Sequence, residues 1–172
     1  MITITTQLIG ALTLELRLST LLAMRFEAFH REAADYMKSS VQENYRSKTA
    51  PDGTPWQPHG QTYPKWLADR GGSLGDVLRL TGKMFSSVTA EGNQDRGRVF
   101  YRSEGYGDKL HDPGVTTDRL AFYHTIGSWR PGKPWVRVPK RPQMGFSTGR
   151  GDVANIEAML RRFVVAQVAA VA

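Results

Sequence analysis

"PDGTPWQPHG", Pro51 to Gly60, places three prolines, two glycines and a tryptophan in ten residues directly after a long helical pattern. Pro51 presets φ for the first central position of a turn, Asp52 and Gly53 suit the positions that follow, and Pro55 stiffens the exit. A segment built this way delivers Trp56 to a fixed place with little freedom left to lose, so it reads as a rigid corner. The indole is expected to bury against the long helix or a sheet. His59 beside it has no sequence neighbour that would make it catalytic.

Upstream of the corner the pattern is helical. From Ser19, a candidate N-cap, Leu22, Phe26, Phe29, Ala33, Met37, Ser40 and Val41 recur at steps of three and four to about Tyr45, with charges on the other face. Before Ser19, "MITITTQLIG" and "LTLELRL" alternate apolar and polar residues (Ile2, Ile4, then Leu12, Leu14, Leu16, Leu18), which predicts strand material over residues 1–18.

Downstream, "RGGSLG" (Arg70 to Gly75) leads to "DVLRLTGKMFSSV", where Val77, Leu78, Leu80, Met84 and Val88 fit one or two helical turns. "SSVTAEGNQDRGRVFYRS" reads as a hairpin with strands of roughly Phe85 to Ala90 and Arg98 to Arg102, turned by "EGNQDRG". "DRLAFYHTIG" is a short amphipathic turn ended by Gly127. "WVRVPKRPQMGFS" is an extended edge segment, because Pro134 just before it and Pro139 and Pro142 within it forbid a central strand. Asp152 can cap a last helix running through Ile156, Met159, Leu160, Phe163 and Val164. The fold predicted is α+β: an antiparallel sheet packed by the long N-terminal helix and the C-terminal helix, in a single domain over residues 1–172.

Composition narrows the chemistry. The 172 residues are 40% hydrophobic and 23% charged, the balance of a globular chain, and lack cysteine, which excludes disulfides, thiolate metal sites and cysteine nucleophiles. No apolar run approaches the roughly 20 residues of a spanning helix, and no charged-then-apolar leader opens the chain, so no membrane role is expected. His30, His59, His111 and His124 are scattered without ligand spacing, so no metal is expected. "GYGDKL" lacks the third glycine of a dinucleotide fingerprint, and neither a phosphate-binding GxxxxGK[ST] loop nor a G-x-S-x-G nucleophile turn occurs. No catalytic residue and no cofactor is predicted.

The net charge of +7 favours acidic partners. Six basic residues, Arg130, Lys133, Arg137, Lys140, Arg141 and Arg150, lie between Trp129 and Arg150 with no acidic one among them. Interleaved with Trp129, Trp135 and Phe146, they admit three readings. They could neutralise phosphates beside stacked bases, solvate and protect a strand edge, or meet an acidic protein neighbour. Arg130, Lys133, Trp135, Arg137, Lys140 and Arg141 are accordingly the candidate assembly or DNA contacts. The rival to an assembly role is a basic nucleic-acid-binding domain.

Five motifs in order then carry a resemblance: "PDGTPW", "LRLTGKMFSSV", "YHTIG", "VPKRPQMGFS" and "GDVANIEAML". Together they resemble the virion morphogenesis family of tailed bacteriophages, the Mu-type tail-completion and head–tail joining proteins, over roughly Tyr45 to Leu160. The matching positions are Pro51, Asp52, Gly53 and Trp56; Leu80, Thr81, Gly82 and Ser87; His124 and Gly127; and Pro139, Arg141, Pro142 and Gly145. Two features depart from the family pattern: "AFYH" places Ala121 and Tyr123 differently before the histidine, and the loop from Gly105 to Asp118 is longer.

The resemblance implies a structural protein of the virion and no enzyme. It implies action at the tail and neck after assembly in the host cytoplasm, as a ring with the tail's sixfold symmetry, a hexamer, that contacts the tail tube protein and the head–tail connector. Pro51, Asp52, Gly53, Trp56, Gly82, His124 and Gly127 would be structural anchors. Arg137, Lys140 and Arg141 could meet packaged DNA non-specifically in the ring's lumen. A closed ring needs two different complementary faces per subunit. The proline-stiffened "RPGKPWVRVPKRP" could bridge to a neighbour at low entropic cost. The apolar "VVAQVAAVA" tail is a second contact candidate, or it packs on the core.

Overall fold

The protein is described as a computed structural model covering residues 19, 24–59, 63–69, 71, 82–106, 114–127, 129–130, 133–137 and 139–170, with 129–130 and 133–137 described by their backbone. The strand material expected over residues 1–18, residues 20–23 of the turn expected after Ser19, and Val77, Leu78, Leu80 and Thr81 lie outside these residues. The long helix expected from Ser19 begins only at Glu27: Met24 and Arg25 are not helical and Phe26 stands at its N-cap.

In chain order the elements are α1 (Glu27–Ser47), α2 (Tyr63–Ala68), α3 (Lys83–Ser86), β1 (Val88–Gly92), β2 (Gly97–Tyr101), α4 (Thr117–Ile126), β3 (Trp129–Arg130), β4 (Lys133–Arg137) and α5 (Asp152–Ala169). β1 and β2 pair antiparallel from Val88 opposite Tyr101 to Gly92 opposite Gly97, and β3 pairs antiparallel with β4 in a second ladder. The expected α+β class is the one observed. Among the described residues the strands form two two-stranded ladders, and α5 packs along α1. No helix among the described residues is long and apolar enough to cross a membrane.

The long helix follows its apolar period. Phe29, Ala34, Val41 and Tyr45 are buried on one side, while Glu27 with Arg31 and Glu43 with Arg46 make ion pairs on the other. It stops where Lys48 turns left-handed at φ 57° and its N–H closes onto the Asn44 carbonyl. The hairpin of β1 and β2 lies across this helix. Its turn is set by Asn93, whose side-chain oxygen accepts from the N–H groups of Asp95 and Arg96 at 3.0 and 2.9 Å. The His30 ring bonds the Asn93 carbonyl at 2.8 Å.

Two glycines make that crossing feasible. A Cβ on Gly92 would sit 2.6 Å from the Arg31 Cα, and one on Gly97 would sit 2.5 Å from the His30 carbonyl oxygen. The sequence marks both as turn chemistry, but their positions are set by backbone meeting backbone.

The core gathers Val41, Tyr45, Ala50, Trp56, Met84, Val88 and Ala121. Met84 lies in a turn of helix as expected, but Phe85, expected to open a strand, also sits in α3, which Gly82 opens in the left-handed region at φ 72°. The strand therefore begins at Val88 and runs to Gly92. On the far side, Phe163 of α5 places its ring 5.6 Å from Phe26 and 6.0 Å from Phe29, and Arg162 pairs with Glu32 at 3.7 Å. α5 thus runs antiparallel to α1.

Candidate functional site

The corner after α1 is a closed loop. The Gly53 N–H donates to the Ala50 carbonyl at 2.9 Å, and the Ala50 N–H to the Thr54 carbonyl at 2.8 Å. The Trp56 N–H reaches the Lys48 carbonyl at 2.8 Å. Pro51 and Asp52 occupy the central positions of this turn, and Gly53 follows at φ 85°. The Asp52 carboxylate accepts from the Thr54 N–H at 2.9 Å, and that bond holds its carboxyl below the usual carboxylate range.

Trp56 leaves the corner 7% exposed, its ring edge-on to Tyr45 at 5.4 Å. Its indole N–H donates to the Pro142 carbonyl at 3.0 Å. Pro142 belongs to a strap, residues 139–147, that lies over the corner. Arg141 of the strap is 3% exposed, and its guanidinium donates to the carbonyls of Gln57 and Pro58, both at 2.7 Å. A Cβ on Gly145 would meet the Pro51 ring at 3.0 Å.

The strap is also stitched to α4. The Arg141 N–H donates to the His124 carbonyl at 2.6 Å. Gly127 ends α4 in the left-handed region at φ 66°, where a Cβ would lie 2.8 Å from the Lys140 Cβ. The Thr125 hydroxyl bonds the Gln143 side chain at 3.1 Å. Corner, α4 end and strap are therefore one junction.

His124 sits at its centre. Burial lowers its pKa to about 3, with the Arg141 charge adding to the effect, the Pro139 carbonyl opposing it and His59 contributing least. Its Nδ1 is enclosed without a partner among the described residues. The imidazole is thus neutral at ordinary pH, next to a guanidinium whose own pKa burial lowers. A neutral ring beside a fixed cation is a packing element rather than a proton donor.

A buried polar network extends the junction to α5. Asn44 donates to the Gln143 carbonyl at 2.7 Å, and Arg150 reaches Asn44 Oδ1 at 2.6 Å and Ser40 Oγ at 2.9 Å. Asp152, wholly buried, accepts from the Ser40 hydroxyl at 2.7 Å, the Tyr36 hydroxyl at 2.9 Å and the Ser147 N–H at 2.7 Å. Its carboxylate holds the loop before α5 against α1 instead of capping the helix: Gly151 takes the N-cap position, and no side chain caps α5. Sequence reasoning missed Asn44, Gln143 and Arg150 as members. The available signal was Ser40, a hydroxyl at an apolar-face position.

The model of the phage virion morphogenesis family matches residues 10–164 of the chain. The protein belongs to the phage virion morphogenesis family. No curated protein and no solved structure matches it.

In this virion morphogenesis protein the predicted residues divide into two groups. Pro51, Asp52, Gly53, Trp56, His124 and Gly127 come together with Pro142 and Gly145 at the junction. Gly82 lies apart, opening α3. Arg130, Lys133, Trp135 and Arg137 fall on the β3–β4 hairpin, and Lys140 is exposed beside Gly127. Arg141, expected among the outward contacts, is instead buried, its guanidinium bonded to the corner's carbonyls. Among the described residues no three histidine or acidic side chains converge as metal ligands do.

Proposed function

We propose that this virion morphogenesis protein completes the phage tail and joins it to the head at the neck, as a ring of identical copies that follows the tail's sixfold symmetry. Its partners in that position are the tail tube protein and the head–tail connector. The role is structural, without catalysis.

The observation that supports this reading is the use made of the family's motif residues. Trp56, His124, Gly127, Arg141 and Gly145 are engaged in locking corner, helix end and strap into one frame. A frame locked in this way suits a subunit whose task is to hold its shape while neighbours dock, because less order is then lost on binding. Exposed apolar side chains at Phe146 on the strap and at Val153 and Val165 on α5 offer contact area between copies.

The test is assembly. Phage lacking the protein should accumulate heads and tails that do not join, and light scattering with electron microscopy of the purified protein should show rings or recruitment to tail-tube ends. Joined, infectious particles in its absence would refute the proposal. A persistent monomer that binds duplex DNA tightly would favour the nucleic-acid-binding alternative.

A further inference from the structure

We propose that the outer face of α4, together with the strap residue Lys140, is a docking surface for an acidic protein segment with an apolar centre. The inference extends the assembly reading to the chemistry of one partner, and its test does not depend on ring formation. Phe122 and Ile126 stand one helical turn apart and are 58% and 49% exposed, so they form a single apolar patch on the outside of α4. Arg119, one turn earlier on the same face, is exposed.

The fold brings a further cation, Lys140, to the patch's other end. Gly127 closes α4 against the backbone of Lys140, which the bond from the Arg141 N–H to the His124 carbonyl fixes in place. The β3–β4 hairpin leaves directly from this end, and its register sets Arg130 opposite Lys133 and Trp129 opposite Arg137. No acidic residue occurs from Ile126 to Gly151. An aromatic anchor with a cationic rim is the make-up of a protein interface whose partner carries the opposite charge.

Two other occupants fit less well. Duplex DNA would meet the cations with its phosphates but offers little for an isoleucine beside a phenylalanine. A second copy of the chain has fewer carboxylates to offer than its sequence count, because Glu27, Glu32, Glu43 and Glu91 already face arginines of their own chain.

The experiment is fluorescence anisotropy of the whole protein with three labelled probes. These are a short peptide with a Leu-Phe-Leu centre flanked by Glu and Asp, the same peptide with Lys in place of the acids, and a short DNA duplex. The acidic peptide should bind, more weakly as salt rises, and the Lys peptide should not. Phe122→Ser and Ile126→Ser should each weaken binding by roughly tenfold or more, with the thermal midpoint unchanged because both side chains are exposed. Val165→Ser, on α5, should leave binding alone. The proposal is overturned if the acidic peptide does not bind, if the Lys peptide binds equally, or if Val165→Ser weakens binding as much as Phe122→Ser. Duplex binding at least as tight as the peptide's and indifferent to Phe122→Ser would also overturn it, marking a phosphate surface instead.

Discussion

The indole N–H of Trp56 and the carbonyl of Pro142, 86 positions apart in sequence, meet at 3.0 Å. That bond joins the corner after α1 to the strap that precedes α5, and the ring behind it lies edge-on to Tyr45. Trp56→Ala should cost about 3–5 kcal/mol from the cavity it leaves. Trp56→Phe keeps most of the packing and strands the Pro142 carbonyl, so it should cost about 1–3 kcal/mol. Urea unfolding of the two variants checks the order; an unchanged midpoint in Trp56→Ala would refute the anchor role.

Arg141 holds the strap down from the other side through the Gln57 and Pro58 carbonyls. Arg141→Met keeps much of the stem and removes the charge, with an expected loss of about 2–3 kcal/mol. The same variant should raise the His124 pKa above its wild-type value of about 3, because the neighbouring cation is gone. Histidine titration by NMR reads this directly, and a static His124 midpoint would contradict the proximity argument.

His124 also gives the fold a pH dependence of definite sign. Its pKa falls from 6.5 to about 3 on folding, so below 6.5 the unfolded chain takes up a proton that the folded one refuses. The contribution is therefore complete above about pH 6.5 and is lost as pH falls towards 3. At the bottom of that window the loss is on the order of 3–5 kcal/mol. Stability measured from pH 8 to 4, in wild type and His124→Gln, should show a steeper acid decline in the wild type; parallel curves would count against a neutral, buried imidazole.

The hairpin's seat on α1 requires hydrogen at two α-carbons. Gly92→Ala and Gly97→Ala should each cost roughly 1–3 kcal/mol or more as the hairpin is pushed off His30 and Arg31. Gly105→Ala, where a Cβ meets nothing within 4 Å, should be nearly neutral. Thermal melts of the three variants decide it, and equal midpoints would show that the crossing can relax.

The parts of the fold that follow from local pattern were legible in the sequence. The apolar period through Phe29 and Val41 carries α1, Asp152 marks the start of α5, and Gly127 ends α4 in the conformation that favours glycine. Where the sequence misleads, the cause is short range. "KMFSSV" is compatible with both a turn of helix and a strand, and Gly82 decides for the turn as far as Ser86.

What could not be read is long range. Ser40 with Asp152, Asn44 with Gln143 and Arg141 with Gln57 are separated by 112, 99 and 84 positions, and nothing in periodicity pairs them. Arg141 shows the cost of reading charge as exposure. It sits among basic residues in sequence, yet its guanidinium points inward because the corner presents two carbonyls that need donors.

The most direct test of a tail-completing role is electron microscopy of tail tubes from the cognate phage, assembled without this protein and then incubated with it. The account predicts an added ring at the tube end that faces the head, and joining once heads are supplied. Tube ends that stay bare, with the protein free in solution at every concentration tried, would contradict it.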